Sequence, residues 1–284
     1  MNSSYNICLM TVMYNNFSMD LFRRLYDSLS LTNFDGVYFH IGVDSEELKN
    51  NVIGVITEYS GSRICPLTEV HVLRSGENLS LAQMRSALLK DLLGTKYDPR
   101  MTHYMFIDSD DYVKPWYFDR IKEQIDFEHD YFVVEGTSIL KDGVESNRVW
   151  GGSHIYSEGV VPTIEDKFMS ENLSAGVWAW ILTRKCLNYF TNIVGSYEDT
   201  YTMLNIIQDK SLKGKIIDNV GYIYVNQSPS SILDTQKKAR RMSMMDKYNY
   251  LTQIRMFLEY LERTNSPGAR ANIAKMIEYY CEFI

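Results

Sequence analysis

Apolar runs and helical stripes alternate through the first half of the chain. Ile7 to Met13 is a continuous apolar run, the pattern of a strand buried on both faces. Ser18 then precedes Leu21, Phe22, Leu25 and Leu29, which repeat at helical spacing. Val37 to Val43 and Glu69 to Leu73 read as two further strands, the first ending at Asp44. Ser80 to Leu93 predicts a helix. Ser80 and Gln83 form a capping box, Leu81, Met84, Leu88 and Leu92 line one face, and Gly94 follows as a stop. Tyr104 to Ile107 is a fourth strand, and Pro115 to Ile125 a helix with proline in its first turn. The order strand, helix, strand, strand, helix, strand implies a mixed, mostly parallel sheet with helices on both faces, an α/β (Rossmann-like) class.

The second half is less regular. Tyr131 to Gly136, Gly176 to Thr183 and Tyr222 to Val225 read as strands, and Gly151 to Pro162 as a loop rich in turn signals. From about Thr235 the texture changes. Met245, Tyr248, Leu251, Ile254, Leu258 and Leu261 form one amphipathic stripe. Ser266-Pro267 opens a second, carrying Ile273, Met276, Ile277, Tyr280 and Ile284. The expectation is a main domain over residues 1–234 and a C-terminal helical hairpin over 235–284.

Composition narrows this little. The chain has 284 residues, 45% hydrophobic and 23% charged, with a net charge of −7, so no overall nucleic-acid or membrane surface is advertised. Cys8, Cys65, Cys186 and Cys281 make no CxxC pair and no metal-ligand spacing, which fits a reduced, cytoplasmic protein. No signal peptide is recognisable, and no apolar run approaches the roughly 18 residues that span a bilayer.

The candidate chemistry sits behind the fourth strand. Asp108-Ser109-Asp110-Asp111 follows it, and strand alternation would send Asp108 and Asp110 out on the same side. Adjacent carboxylates repel, and burying them unpaired costs several kcal/mol, roughly, so a cation is expected beside them. A hard divalent ion bridged to a phosphate fits. Helix capping or Asx turns would account for one aspartate, not three. An EF-hand is excluded by the missing Gly and terminal Glu. Tyr14-Asn15 after the first strand, Asp44 after the second and Asp108 after the fourth all lie at strand carboxyl ends, where such sheets collect ligands.

An ordered set of segments resembles the family 2 glycosyltransferases with the GT-A fold. Thr11 and Tyr14-Asn15 resemble a T-x-x-Y-N signature, and Val43-Asp44-Ser45 an acidic turn. The run from Asn78 to Ala87 resembles the G-L-S-x-A-R-N-x-G helix, with Asn78 in place of the Gly. Asp108 to Asp111 resembles the D-x-D, Glu198-Asp199 the later E-D, and Tyr222 to Ile232 the final strand and S-I loop. That loop offers Asn226, Gln227 and Ser228 where the family often has Arg and His. The similarity spans roughly residues 5–235.

The resemblance implies metal-dependent, inverting transfer of a hexose, glucose foremost, from a UDP-sugar to a hydroxyl. Asp110 and Asp108 would hold Mn²⁺ or Mg²⁺. Thr11, Tyr14, Asp44, Arg85 and Asp108 would bind the nucleotide-sugar. Asp199, with Glu198 as second choice, would be the general base. Arg85 could instead be a solvated helix charge, and Glu198-Asp199 a helix N-terminus. Trp178 and Trp180, flanking Ala179 on a strand, would face one side and offer either an acceptor platform or core packing.

The acceptor is a glycan or DNA. In size and in its Met, Tyr and Asn richness the chain also resembles the T-even phage glucosyltransferases that act on glucosylated hydroxymethylcytosine DNA, which would place it in the host cytoplasm. Lys237, Lys238, Arg240 and Arg241 form a basic cluster that could track phosphates, though a solvated helix end explains it as well. The tail helices could close a homodimer or cover the parent sheet. A nucleotidyltransferase would need glycine after the first strand, and Met13 to Met19 has none. An aspartyl phosphatase would carry its D-x-D after an early strand. A catalytically inactive sugar-nucleotide-binding protein has the same sequence signals.

Overall fold

The computed structural model describes residues 6–14, 17–60, 67–73, 79–148, 164, 176–190, 198–225 and 244–281. Asn15, Asn78, the 151–162 loop, Asn226 to Ser228, Ile232 and the cluster Lys237, Lys238, Arg240 and Arg241 lie outside them.

The first strand, β1 (Ile7–Met13), is buried along its whole length, as its apolar run requires. It lies in the interior of a seven-stranded sheet. β2 (Val37–Val43) pairs with it in parallel on one side, and β4 (His103–Phe106) on the other. β3 (Leu67–Val72) is the edge beyond β2. Beyond β4 come β9 (Trp180–Leu182), β6 (Tyr131–Glu135) and β10 (Gly214–Asp218), giving the order β10-β6-β9-β4-β1-β2-β3. Only β9 runs antiparallel to its neighbours.

A second sheet, ordered β5-β11-β7-β8, joins β5 (Tyr112–Val113), β11 (Tyr222–Val225), β7 (Thr137–Lys141) and β8 (Val144–Arg148). The chain reaches β5 straight from the Asp108–Asp111 turn. The acidic segment therefore bridges the two sheets.

Helices α1 (Met19–Leu29), α2 (Glu46–Ser60), α3 (Leu81–Leu93), α4 (Tyr117–Gln124) and α5 (Glu198–Gln208) complete the main body. The capping box of α3 is present. Ser80 N–H donates to Gln83 Oε1 at 2.8 Å, and Gln83 N–H donates to Ser80 Oγ at 3.3 Å. Met84, Leu88 and Leu92 are fully buried, each contributing about 1.5–3 kcal/mol. This fixes α3 against β1 and β2 and sets where Arg85 points.

The sequence pattern missed α2. Its only core residues are Leu48, Val52 and Val55, and Gly54 with β-branched neighbours lowers its helix propensity. The β7–β8 hairpin was also missed, although Asp142-Gly143 turns it with φ of 52° and 77°, the primed geometry that this dipeptide favours. The expected strand over Gly176 to Thr183 is instead a 3₁₀ turn, Val177–Ala179, followed by β9. Pro115 precedes α4 by two residues rather than opening it.

The two tail helices are α6 (Met244–Arg263) and α7 (Pro267–Cys281). Ser266 Oγ accepts from Ala269 N–H at 3.0 Å, so Ser266 caps α7 with proline at its first position. Phe257, Tyr260, Ala269 and Ile273 are buried within the same apolar cluster as the main body, and Arg263 Nη2 donates to Asn205 Oδ1 at 3.2 Å. No helix among the described residues is long and apolar enough to cross a membrane.

Candidate functional site

Asp108, Ser109, Asp110 and Asp111 leave the carboxyl end of β4 in a tight turn, with Asp111 N–H donating to the Asp108 carbonyl at 3.3 Å. The turn breaks the simple alternation expected from sequence and gives the three carboxylates different surroundings. Asp108 is half-buried, with 32% of its side chain exposed, and its Oδ1 accepts from Arg85 Nη2 at 3.1 Å. Asp110 is half-buried, and its carbonyl accepts from the Arg24 guanidinium. Asp111 is buried, accepting from the Tyr222 hydroxyl and, at 2.7 Å, from Val225 N–H.

The carboxylates feel one another. Burial raises the Asp108 pKa from 3.8 to about 6 against the pull of Arg85, and the charges of Asp110 and Asp199 push it the same way as burial. Asp199, in the first turn of α5, thus belongs to the same electrostatic group. Burial raises Asp111 further, with Asp108 and Asp110 adding to it, while the hydrogen bonds from Tyr222 and Val225 oppose. Arg85 is the cation the structure sets against this charge, and it is 5% exposed, over the Phe106 ring at 5.8 Å. The solvated-charge reading of Arg85 is therefore overturned: the capping box turns the helix so that position 85 faces the β4 terminus.

Two positions missed in the sequence hold the turn. Tyr222 Oη accepts from Asp108 N–H at 3.2 Å and donates to Asp111, linking both ends of the acidic segment to β11. Arg24 clamps the Asp110 carbonyl from α1 and lies over the Tyr112 ring at 5.5 Å. Both partners are about a hundred residues from their targets, or more, so no local pattern announces them. A Tyr222→Phe chain is expected to lose about 1–3 kcal/mol, because two buried polar groups lose their partner. Urea denaturation checks this, and an unchanged midpoint would contradict it.

The remaining candidates divide. Tyr14 and Asp44 stand half-buried at the ends of β1 and β2. Thr11 is fully buried, and its Oγ1 has no hydrogen-bond partner among the described residues, so direct contact with a nucleoside is not open to it in this structure. Trp178 is 5% and Trp180 1% exposed. Trp178 stacks on Tyr222 with centroids 4.7 Å apart and planes 8° apart. The 3₁₀ turn removes the shared facing expected of the two indoles, and their burial makes them core residues, not an acceptor platform. The Glu198 side chain lies outside the described residues.

Could the acidic group hold a divalent ion? Its donors are all hard oxygens with a surplus of negative charge, which suits Mg²⁺ or Mn²⁺. Among the described residues its carboxylates do not close into a three-ligand cage. That is the arrangement in which one or two carboxylates leave the other positions to water and substrate phosphates. Asp110 and Asp108 are the residues that would hold it: both carboxylate oxygens of Asp111 are engaged, by Tyr222 and Val225 N–H, whereas the Arg85 contact is to Oδ1 of Asp108.

A metal-free comparison tests the electrostatics. The folded Asp108 pKa, about 6, lies above 3.8, so the folded state binds the proton more tightly than the unfolded chain. Stability from this group is present at low pH and is lost as pH rises from about 4 through 6. An Asp108→Asn chain lacks that loss. Its urea midpoint relative to the parent is expected to climb between pH 4 and pH 7, roughly; a constant difference would refute the assignment.

No family model and no curated protein matches the sequence. Solved structures do share the fold. The crystal structure of S. aureus TarS 1–349 matches with a TM-score of 0.60 at 12% identity, covering 97% of this chain and 70% of that one. Its complex with UDP-GlcNAc matches at 0.59 and 14% identity, over 97% and 71%. The mannosyltransferase PcManGT from Pyrobaculum calidifontis, in complex with GDP-Man and Mn²⁺, matches at 0.58 and 12%, over 98% and 70%. What is common at such identities is the mixed α/β architecture of the GT-A kind. These matches carry no support for the phage DNA-glucosylating subtype.

Proposed function

We propose that this chain is a glycosyltransferase, moving a hexose from a nucleoside diphosphate donor to a hydroxyl acceptor with inversion at the anomeric carbon. The observation that carries the reading is the buried Arg85 paired with Asp108 at the carboxyl end of β4, in a turn that also holds Asp110, with the charge of Asp199 acting on the Asp108 carboxyl. The shared fold supports it, because two matching structures hold UDP-GlcNAc or GDP-Man, one with Mn²⁺.

Each residue has a role in this reading. Tyr14 and Asp44 bind the nucleoside from the ends of β1 and β2. Arg85 holds the Asp108 carboxylate in place beside the diphosphate. Asp110, with Asp108, takes the divalent ion, Mn²⁺ or Mg²⁺, whose chemistry is to stabilise negative charge on the leaving diphosphate. Asp199 accepts the proton of the attacking hydroxyl as the new bond forms. A single displacement needs no covalent nucleophile on the protein. The unit that does this is read as residues 1–234, with 235–284 as a helical extension.

UDP-glucose is the first donor to test, and a glycan hydroxyl is the acceptor favoured here. Glucosylated DNA stands as a second acceptor only through Lys237, Lys238, Arg240 and Arg241. Labelled UDP-glucose, UDP-GlcNAc and GDP-mannose, each with Mn²⁺, should be offered with a panel of glycans and modified DNA. Transfer or metal-dependent donor hydrolysis is expected. Intact nucleotide binding without either would instead mark an inactive binding protein.

A further inference from the structure

We propose a second metal site, for Zn²⁺, built by His40 on β2, His71 on β3 and Asp91 in the last turn of α3. It is distinct from the acidic site at the end of β4 and stands independently of the transferase reading.

Hydrogen bonds around the two imidazoles fix where some of their protons lie. The Tyr38 hydroxyl donates to Glu69 Oε2 at 2.9 Å, so at its 3.0 Å contact with His40 Nδ1 the tyrosine oxygen must accept. His40 therefore carries its proton on Nδ1 and presents a lone pair at Nε2. Glu69 Oε2 also lies 3.2 Å from His71 Nε2, and a carboxylate only accepts. A proton therefore sits on His71 Nε2, which leaves Nδ1 as the nitrogen that can ligate a metal once it carries no proton.

Those two nitrogens converge on one oxygen. His40 Nε2 is 3.1 Å and His71 Nδ1 3.0 Å from Asp91 Oδ2. His40 is fully buried, and neither its Nε2 nor Asp91 Oδ2 has a hydrogen-bond partner among the described residues. The lone pair on His40 Nε2 and the Asp91 carboxylate oxygen repel unless a proton or a metal ion lies between them, and the proposal is the metal ion. The spacing suits one. Ligands about 2.0–2.1 Å from a tetrahedral zinc stand roughly 3.3 Å apart. All three ligand atoms fall within 4.8 Å of one another, and this is the one such group among the described residues.

The donor set, two imidazoles and a carboxylate, is one that Zn²⁺ takes readily. The outer groups are also in place. Tyr38 and Glu69 orient the non-ligating ring nitrogens as carboxylate–histidine–zinc arrangements do. Burial, with positive charge on His71 acting the same way, lowers the His40 pKa to about 3, so its ring is neutral. His71 and Asp91 are 28% and 36% exposed at the side chain, which leaves an entry path and a fourth position for water. A bound ion would fasten the end of α3, the helix that carries Arg85, to the outer strands of the sheet.

The test uses the full, tag-free chain carrying Asp110→Asn, which silences the acidic site. Its zinc binding is measured by calorimetry and by thermal melting, and its Co²⁺ complex by visible spectroscopy. One Zn²⁺ per chain, a melting temperature raised by several degrees, and the absorption of tetrahedral Co²⁺ are expected. His71→Ala and Asp91→Asn, at partly exposed positions, should each weaken zinc at least about tenfold and abolish the tetrahedral spectrum. Circular dichroism verifies that both variants fold. The proposal is overturned if the parent binds no zinc. It is equally overturned if either folded variant binds zinc as the parent does, or if His71 proves to be protonated and ion-paired to Asp91 in the presence of excess zinc.

Discussion

Replacing Asp110 by Asn is expected to weaken Mn²⁺-dependent binding of a nucleoside diphosphate by on the order of 100-fold or more. A carboxylate that holds a divalent ion against phosphate contributes several kcal/mol, roughly, and each 1.4 kcal/mol is about a factor of ten. The variant should fold as well as the parent. The Asp110 side chain is half-buried, and the contact that ties this position into the fold runs through its backbone carbonyl to Arg24. Removing one of the charges that raise the Asp108 carboxyl should even relieve repulsion in the metal-free state. Calorimetry with UDP, in Mn²⁺ and then after chelation, separates the two effects. A variant that binds UDP and manganese as the parent does would remove Asp110 from the site.

Asp199→Asn has the second large expected effect, and it differs in kind. A general base acts on the attacking hydroxyl and touches the donor little. Turnover should fall by about 10²–10⁴-fold, with donor and metal affinity nearly unchanged. Position 199 lies in the first turn of α5, where a carboxylate also favours the helix dipole by about 0.3–1 kcal/mol, so a small loss of stability is expected with the catalytic loss. Asn keeps the shape and some of the capping ability, which isolates the proton-accepting role. A variant whose KM rises while kcat holds would make Asp199 a binding residue instead.

Of the two positions, Asp110 stood out in the sequence for a physical reason, whereas Asp199 came only from the resemblance to an E-D signature. β1, β2 and β4 are buried on both faces, so their apolar runs stand out, and the residues at their ends are the ones such a sheet exposes to ligand. Asp44 and Asp108 were found that way. The capping box at Ser80 and Gln83 fixed the phase of α3, yet not that Arg85 would be buried, because that depends on β4 lying beside β1. What could not be read were contacts between distant segments. Tyr222 with Asp108 and Asp111, Arg24 with Asp110, and the His40–His71–Asp91 group each join separate elements. In the other direction, Trp178 and Trp180 looked like a matched pair only while a continuous strand was assumed. A short 3₁₀ turn is invisible to period-two reasoning, and the burial of both rings decides for the core packing that the sequence offered as the alternative.

Helix α2 and the β7–β8 hairpin make a related point about weak periodicity. Each has a solvent face larger than its buried one. In α2 three residues carry the packing, and in β8 Val144 to Asn147 are exposed. Elements at the rim of a domain need little apolar patterning because their neighbours supply most of the burial. They are correspondingly hard to find from one sequence, even where they adjoin the site: Thr137 Oγ1 on β7 donates to the Tyr222 carbonyl at 2.8 Å, and Glu145 on β8 pairs with Lys114 at 2.6 Å.

The central claim is that a nucleoside diphosphate and a divalent ion meet at the end of β4. A crystal structure of the chain with UDP and Mn²⁺ tests it most directly. The account predicts manganese bound by the Asp110 carboxylate and the diphosphate oxygens, with the Arg85–Asp108 pair retained beside it and the uridine between Tyr14 and Asp44. Nucleotide bound elsewhere, or manganese bound with Asp110 turned away from it, would contradict the account.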